Sequence, residues 1–293
     1  MDHSAPDAYA FEIECDNKRL FYCGDFRAHG RKAILFSKLL ENPPHNIDIM
    51  LMEGTMMERE NTDFPDESSV EGKMVEVLKG TTDTVFLVCS SQNIDRIVGA
   101  YRATIRSGRI FVVDIYTAWI LAKIAGEPKN NTPQIDWPLI KVLVDGNAAA
   151  KHYSVVKSNP EYFDGFVNTL YKSGNFISLK EIAQTPSRYF IKNPRILDLK
   201  DMLGANSISV IYSMWAGYLD ETRINNYAYL QKTPNINFVY AHTSGHAVIN
   251  DLKRIVKAIN SKKLVPIHTE HGKKYDDLFH GVLHLNDGDS IQI

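Results

Sequence analysis

Short apolar runs separated by stretches of helical period constrain this chain more than any other feature. Residues 84–89 (TVFLVC), 110–113 (IFVV), 208–212 (ISVIY) and 236–240 (INFVY) are too short for buried helices and rich in β-branched or aromatic side chains. They read as buried strands. Between the first two, Ile94, Ile97, Val98, Tyr101 and Ile105 mark one helical face, and an apolar helix is expected near 116–125. Such alternation is the pattern of a parallel sheet, so the class is α/β.

The flanking segments extend that pattern. Residues 8–14 and 19–23 read as two short strands around Asp16-Asn17-Lys18, and Lys32 to Leu40 as a helix stopped by Asn42-Pro43-Pro44. Residues 47–52 (IDIMLM) form a buried strand ending at Glu53-Gly54-Thr55. The stretches 57–69 and 127–138 read as loops, and a helix is expected over 70–79 and another over 220–231. Val248, Leu252, Ile255, Val256 and Ile259 fall at helical spacing, and 264–267 (LVPI) is a strand ending at His268. A closing hairpin of 282–285 and 290–293 is expected over Asn286-Asp287-Gly288-Asp289. Residues 139–206 show no clear period.

Composition excludes several classes. The 293 residues carry 33 Lys+Arg against 35 Asp+Glu, so a net charge of −2 gives no global pull toward nucleic acid. Cys15, Cys23 and Cys89 have no CxxC spacing, and an odd count argues against a secreted disulfide framework. No apolar run approaches the roughly 20 residues that span a bilayer, and the first residues lack the basic and apolar regions of a signal peptide. A cytoplasmic protein with no membrane partner is expected.

Candidate functional residues follow the strands. Asp25 comes after 19–23, Glu53 after 47–52, Ser90 and Ser91 after 84–89, His242 and His246 after 236–240, and His268 after 264–267. In α/β sheets, ligands gather at the C-terminal edge of the strands. Imidazole and carboxylate donors delivered to one edge suit Zn²⁺ or Mn²⁺. Taken singly, each has a plainer reading. An Asp after a strand is usually a turn or helix cap, while His29, His45 and His271 read as solvated loop residues. His280 and His284 carry no functional expectation.

The motifs in combination go further. DHSAPDAYAF, YCGDFRAHGRK, LMEGT, TSGHA and LVPIHTEHG occur in that order. Together they resemble the metallo-β-lactamase-fold nucleases of the β-CASP type, the group that includes RNase J and the mRNA 3′-end-processing endonucleases. FLVCSSQNIDRIVGAYRATIRSGRIFVVD and VIYSMWAGYL resemble the inserted β-CASP domain. The resemblance implies a partial αββα sandwich with residues 1–82 as the second part of the lactamase domain. Residues 83–219 would be the β-CASP insertion and 220–293 the return segment.

It also implies roles. His3 and His268 match histidines that each ligate one of two zinc ions, with manganese an alternative, and Asp25 matches the bridging carboxylate. Glu53 matches the acid that supports a metal-ligating histidine, and His246 the histidine that contacts the scissile phosphate. Ser90, Ser91 and Arg96 would lie at an interdomain cleft and help hold the RNA backbone, although helix capping and surface charge are the plainer reading for all three. The implied activity is hydrolysis of RNA phosphodiesters by a dinuclear metal-activated water.

One departure matters. The family's HxHxDH motif is absent: no His-x-His occurs, and the one Asp-His is Asp2-His3. The sequence therefore reads as a fragment of such an enzyme, with weak metal binding and no hydrolysis by itself expected. The alternatives are one half of a split enzyme, with a partner chain supplying the missing motif, and a non-catalytic module that keeps a nucleic-acid-binding cleft or the surface of a homodimer.

Overall fold

The computed structural model describes residues 1–59, 65–125, 131–145, 147–224 and 226–293. In chain order, the first elements are β1 (Phe11–Cys15), β2 (Lys18–Tyr22), α1 (Ala33–Glu41) and β3 (Ile49–Glu53). There follow α2 (Glu67–Gly80), β4 (Thr84–Val88), α3 (Ile94–Ser107), β5 (Ile110–Asp114), α4 (Ile115–Ile124), β6 (Ile140–Leu143), α5 (Asn147–Ser158) and α6 (Phe166–Ser173). Next come β7 (Phe176–Ile177), α7 (Leu179–Gln184), β8 (Tyr189–Lys192), α8 (Ile196–Met202), β9 (Ile208–Tyr212), α9 (Tyr229–Lys232) and β10 (Ile236–Tyr240). The chain closes with α10 (Ile249–Ile259) and β11 (Lys263–Ile267). No helix among the described residues is long and apolar enough to cross a membrane.

These elements fall into two compact units, Met1–Asp66 with Ser244–Ile293, and Glu67–Thr243. The first unit carries a four-stranded sheet of order β1-β2-β3-β11. β1 and β2 pair antiparallel across Asp16 and Asn17, both in the left-handed region (φ 50° and 60°) that a tight hairpin turn demands and that Asp and Asn tolerate. β2, β3 and β11 run parallel, so their C-terminal ends share one edge. Phe21, Met50, Met52 and Leu264 point from this sheet into a core completed by Phe36 of α1 and by Leu252, Ile255 and Ile259 of α10. Each such buried aliphatic side chain contributes about 1.5–3 kcal/mol, which is why the 3.6-residue spacing along α10 was legible.

The second unit holds a seven-stranded sheet, β10-β9-β4-β8-β5-β6-β7, with every pairing parallel. Alternate residues feed two cores. Val85, Leu87, Phe111 and Phe190 pack with Met74, Ile97 and Leu121 on one face. Phe86, Val88, Val112 and Val210 pack with Ile196 and Leu199 on the other. Burial on both faces explains the unbroken apolar runs of these strands. α3 begins where the Asn93 side chain accepts the Arg96 N–H (3.0 Å) and ends at Gly108 with φ 74°. The mixed α/β class is as expected.

Two expected elements are different. Residues 220–231 form no continuous helix: the Asp220 carboxylate accepts the Thr222 N–H (2.9 Å) and hydroxyl (2.8 Å), closing a turn, and only Tyr229–Lys232 is helical. Residue 225 lies outside the described residues. The closing hairpin is also absent. The turn forms, with Asn286 N–H donating to Asp289 (2.7 Å), but Val282 makes one parallel bridge to Leu264 and 290–293 pairs with nothing as a strand. Leu283 instead donates to the Leu264 carbonyl (2.8 Å), so the tail lies along β11. The expected loops 57–69 and 127–138 lie partly outside the described residues. α2 starts earlier than 70, at Glu67. The division expected at 82/83 and 219/220 stands against unit limits at 66/67 and 243/244, because α2 packs on α3 and β10 pairs with β9.

Candidate metal centre

Parallel pairing delivers the site residues of the first unit to one edge. After β2 the chain turns at Gly24 (φ 61°), where a Cβ would approach the Tyr9 carbonyl to 2.8 Å, and then presents Asp25. β3 ends in Glu53. β11 is followed at once by His268, whose φ of 48° is uncommon for a residue with a side chain. Thr55 stabilises that turn by donating its hydroxyl to the His268 carbonyl (3.2 Å). Strained backbone of this kind clusters at functional positions. His246 arrives from the turn Ser244-Gly245-His246 that precedes α10.

Donor atoms of Asp25, Glu53, His246 and His268 all lie within 4.8 Å of one another. His268 Nδ1 meets Asp25 Oδ1 at 2.8 Å, and both side chains are open to solvent, 57% and 38% exposed. The other pair is internal. Glu53 is fully buried and accepts N–H groups from Phe26 (3.0 Å), Thr55 (3.3 Å) and Ala247 (3.4 Å). It also meets His246 Nδ1 at 3.1 and 3.2 Å. With its lone pairs occupied, Glu53 orients rather than ligates, and Nδ1 of His246 must carry a proton toward it. Burial alone would push the His246 pKa down, but the Glu53 hydrogen bond and the charges of Glu53 and Asp25 outweigh it, leaving it raised.

His3 stands beside this cluster, its ring 6.1 Å from that of His246 and edge-on to it. Burial, and then the neighbouring His246, lower its pKa. Its Nδ1 accepts the Ala5 N–H at 3.3 Å. Ligation through Nε2 would need Nδ1 to take up the proton and give up that contact. His3 is thus adjacent to the donor cluster but outside it.

The donor chemistry fits a divalent ion. One carboxylate oxygen and one imidazole nitrogen, 2.8 Å apart and solvent-accessible, are borderline donors of the kind zinc and manganese accept. Asp25 and His268 would hold the ion, with the Glu53–His246 pair fixed alongside. Two open donors bind more weakly than the four of a closed zinc site.

Several supporting residues carried no legible signal. The Ser244 carbonyl accepts both Arg27 Nη1 (3.0 Å) and His29 Nε2 (3.0 Å), which pins the turn bearing His246. Asp2 is fully buried, accepts the Gly30 N–H (2.8 Å) and faces the Arg27 guanidinium. His29 is therefore half-buried and bonded, not solvated as expected, and burial lowers its pKa. Tyr275 donates to the Glu53 carbonyl (2.6 Å) and occupies the space that any Cβ at Gly54 would take. His271 and His284 pair with Glu58 (3.0 Å) and Asp276 (2.9 Å) away from the cluster.

The three residues expected to hold RNA lie in the second unit and differ among themselves. Arg96 is fully buried, its guanidinium bonded to Glu67 (3.2 and 3.3 Å), to the Ala241 carbonyl (3.3 Å) and to the Ser213 hydroxyl. It is an internal tie, neither a surface charge nor a group positioned to meet a phosphate. Ser91 is buried against Lys192 (2.5 Å) and Thr117 (2.8 Å). Only Ser90 is exposed, with its hydroxyl accepting the Gln92 N–H (3.2 Å).

Residues 236–276, which contain His246 and His268, match the family described as the Zn-dependent metallo-hydrolase RNA specificity domain. That match supports the metallo-β-lactamase superfamily and a zinc-dependent metallo-hydrolase. No curated protein matches the sequence. Among solved structures, a protein of unknown function from Enterococcus faecalis V583 shares the fold, with a TM-score of 0.71 at 19% identity over 98% of this chain. This chain spans 61% of the length of that structure.

Proposed function

We propose that this chain contributes the Asp25–His268 metal site and the Glu53–His246 pair of a β-CASP-type ribonuclease acting on RNA phosphodiesters. The observation carrying this reading is the convergence of those four side chains, their donor atoms within 4.8 Å of one another, two of them inside the segment matching an RNA specificity domain. Asp25 and His268 hold a divalent ion, zinc or manganese, with His3 as a further ligand once its contact with Ala5 is released. A bound ion would supply Lewis acidity toward a phosphoryl oxygen and make water a better nucleophile. Glu53 keeps the proton on Nδ1 of His246 and fixes the ring. His246 then presents Nε2 to the phosphate and hands a proton to the leaving oxygen. Within the second unit, Ser90 offers an exposed hydroxyl to an RNA backbone, and Ser91 shapes the turn that carries it.

A second reading is favoured by one observation: Asp25 and His268 are the open donors of the cluster among the described residues. In that reading donors from another polypeptide complete the site. Calorimetric titration with Zn²⁺, alone and after His268→Ala, tests the metal assignment, and a labelled-RNA cleavage assay tests the hydrolase. Weak Zn²⁺ binding lost in the variant is expected. Zn²⁺ affinity unaffected by His268→Ala and Asp25→Asn would remove the assignment.

A further inference from the structure

We infer that Trp215, Tyr218 and Arg223, on the segment following β9, form a stacking platform for unpaired bases of single-stranded RNA. The inference rests on the RNA reading above but involves neither the metal site nor the Glu53–His246 pair. Trp215 and Tyr218 are 37% and 41% exposed, so parts of both rings are open to solvent side by side. They stand edge-to-face at 5.5 Å, and the Arg223 guanidinium carbon lies 4.8 Å from the Trp215 ring centre and 6.0 Å from that of Tyr218. Arg223 makes no ion pair within 4.0 Å among the described residues: the Asp220 carboxylate feels its charge but is hydrogen-bonded by Thr222, and Glu221 pairs with Lys232. An exposed arginine stacked on aromatic rings and held in no close ion pair keeps its donors for phosphate, while the rings offer faces to bases.

The arrangement is built rather than incidental. Tyr212 of β9 donates its hydroxyl to the Trp215 carbonyl (3.2 Å), tying one end of the segment to the sheet, and the Tyr227 N–H donates to the Tyr218 carbonyl (2.8 Å), tying the other to the loop before α9. At Gly217 any Cβ would run into the indole of Trp215, so the glycine gives the ring its seat. The platform follows the C-terminal end of a parallel strand, where α/β sheets place ligands.

The test uses the full chain without added metal and measures fluorescence anisotropy of a labelled 12-nucleotide oligouridylate against a duplex of equal length. Trp215→Ala with Tyr218→Ala should weaken single-strand binding about tenfold or more, with duplex binding unchanged. Trp215→Phe should recover most of the loss. Arg223→Gln, at an exposed position, should weaken it less while leaving the melting temperature alone. Photocrosslinking of a 4-thiouridine oligonucleotide to the unaltered chain should map to Trp215 or Tyr218. Wild-type affinity in the double variant, equal loss for duplex, or no oligonucleotide binding by the unaltered chain overturns the platform, the first assigning the rings to a protein partner. Binding without any cleavage leaves the platform standing and counts against the hydrolase reading instead.

Discussion

Two polar clusters occupy equivalent places in the two units, each at the C-terminal ends of parallel strands, yet they are chemically opposite. In the second unit Lys192, the last residue of β8, meets Asp114 (2.7 Å), Ser91 (2.5 Å) and Thr117 (2.9 Å). All three ammonium protons have acceptors, and all four side chains are buried. In the first unit Glu53 is as buried as Asp114, but the cluster opens outward through Asp25 and His268. Position at a strand edge therefore does not make a site. What separates the two is unfilled coordinating capacity within reach of solvent: the first cluster has it and the second is a staple.

The largest prediction tests the staple. Lys192→Met leaves the Asp114 carboxylate buried without its counter-charge and should cost about 3–5 kcal/mol, read as a fall in urea midpoint. Adding Asp114→Asn should recover part of that, because no buried charge then remains uncompensated. Burial alone would push Asp114 up, but the charge and hydrogen bond of Lys192 and the two bonds from Thr117 hold it below the usual carboxylate range. A carboxyl with a depressed folded pKa stabilises above its unfolded pKa, and that contribution fades as pH falls toward the folded value. The parent should therefore lose stability in acid below about pH 4, and the doubly substituted chain should lose less there. A parent and double variant with superimposable acid profiles would show that Asp114 contributes no such stability.

Glu53 is expected to have the next effect, and it mixes both characters. Glu53→Ala leaves the N–H groups of Phe26, Thr55 and Ala247 without their acceptor, at about 1–3 kcal/mol for a buried group so abandoned. Glu53→Gln keeps an acceptor but removes the charge, so it separates structure from electrostatics. Since the Glu53 bond and charge are what raise His246 against burial, the imidazole resonance of His246 should titrate at lower pH in Glu53→Gln. A histidine with a raised folded pKa stabilises below its unfolded value, and that contribution disappears as pH rises through the folded one. The parent's advantage over Glu53→Gln should then shrink from pH 5 to pH 8. An unmoved His246 titration would show that the carboxylate does not control it.

How much of this was legible follows from what periodicity encodes. β9 lies where its apolar run put it, because a strand buried on both faces leaves an unbroken run, and β10, a half-exposed edge strand, keeps its run Ile236, Phe238 and Val239 by pairing with β9. Asp25, Glu53 and His268 were legible because parallel strands convert a repeated pattern, strand then acid or histidine, into a shared edge, whereas His246 follows a strand of the other sheet and was legible only through its motif, TSGHA. Lys192 and Arg96 were illegible for the opposite reason. A buried cation is defined by partners such as Asp114 and Glu67 that are 78 and 29 residues away, and no local pattern announces such a pair. The expected helix over 220–231 failed on one side chain: Asp220 satisfies the turn that a helix would have had to open. Arg27 and His29 were missed because their common acceptor, the carbonyl of Ser244, is a backbone atom.

The smallest effects on stability belong to the open side of the first cluster, and they sharpen the distinction most. Asp25→Asn and His268→Ala remove exposed partners, so each should shift stability by no more than about 0.5 kcal/mol. Each should nevertheless reduce Zn²⁺ affinity about tenfold or more, because a lost donor is one of few. Ser91→Ala, in the closed cluster, should show the reverse, a measurable loss of stability with Zn²⁺ binding unchanged. Thiol chemistry offers a parallel reading of access in the same chain. Cys15 is exposed and should react with iodoacetamide in the native protein. Burial pushes the Cys89 thiol up to about 11 and raises that of Cys23 further, so both should react only on unfolding. Native labelling of Cys23, which lies two residues before Asp25 and whose sulfur accepts the Glu53 N–H (3.3 Å), would mean that the floor beneath the Asp25–Glu53–His246–His268 cluster opens to solvent.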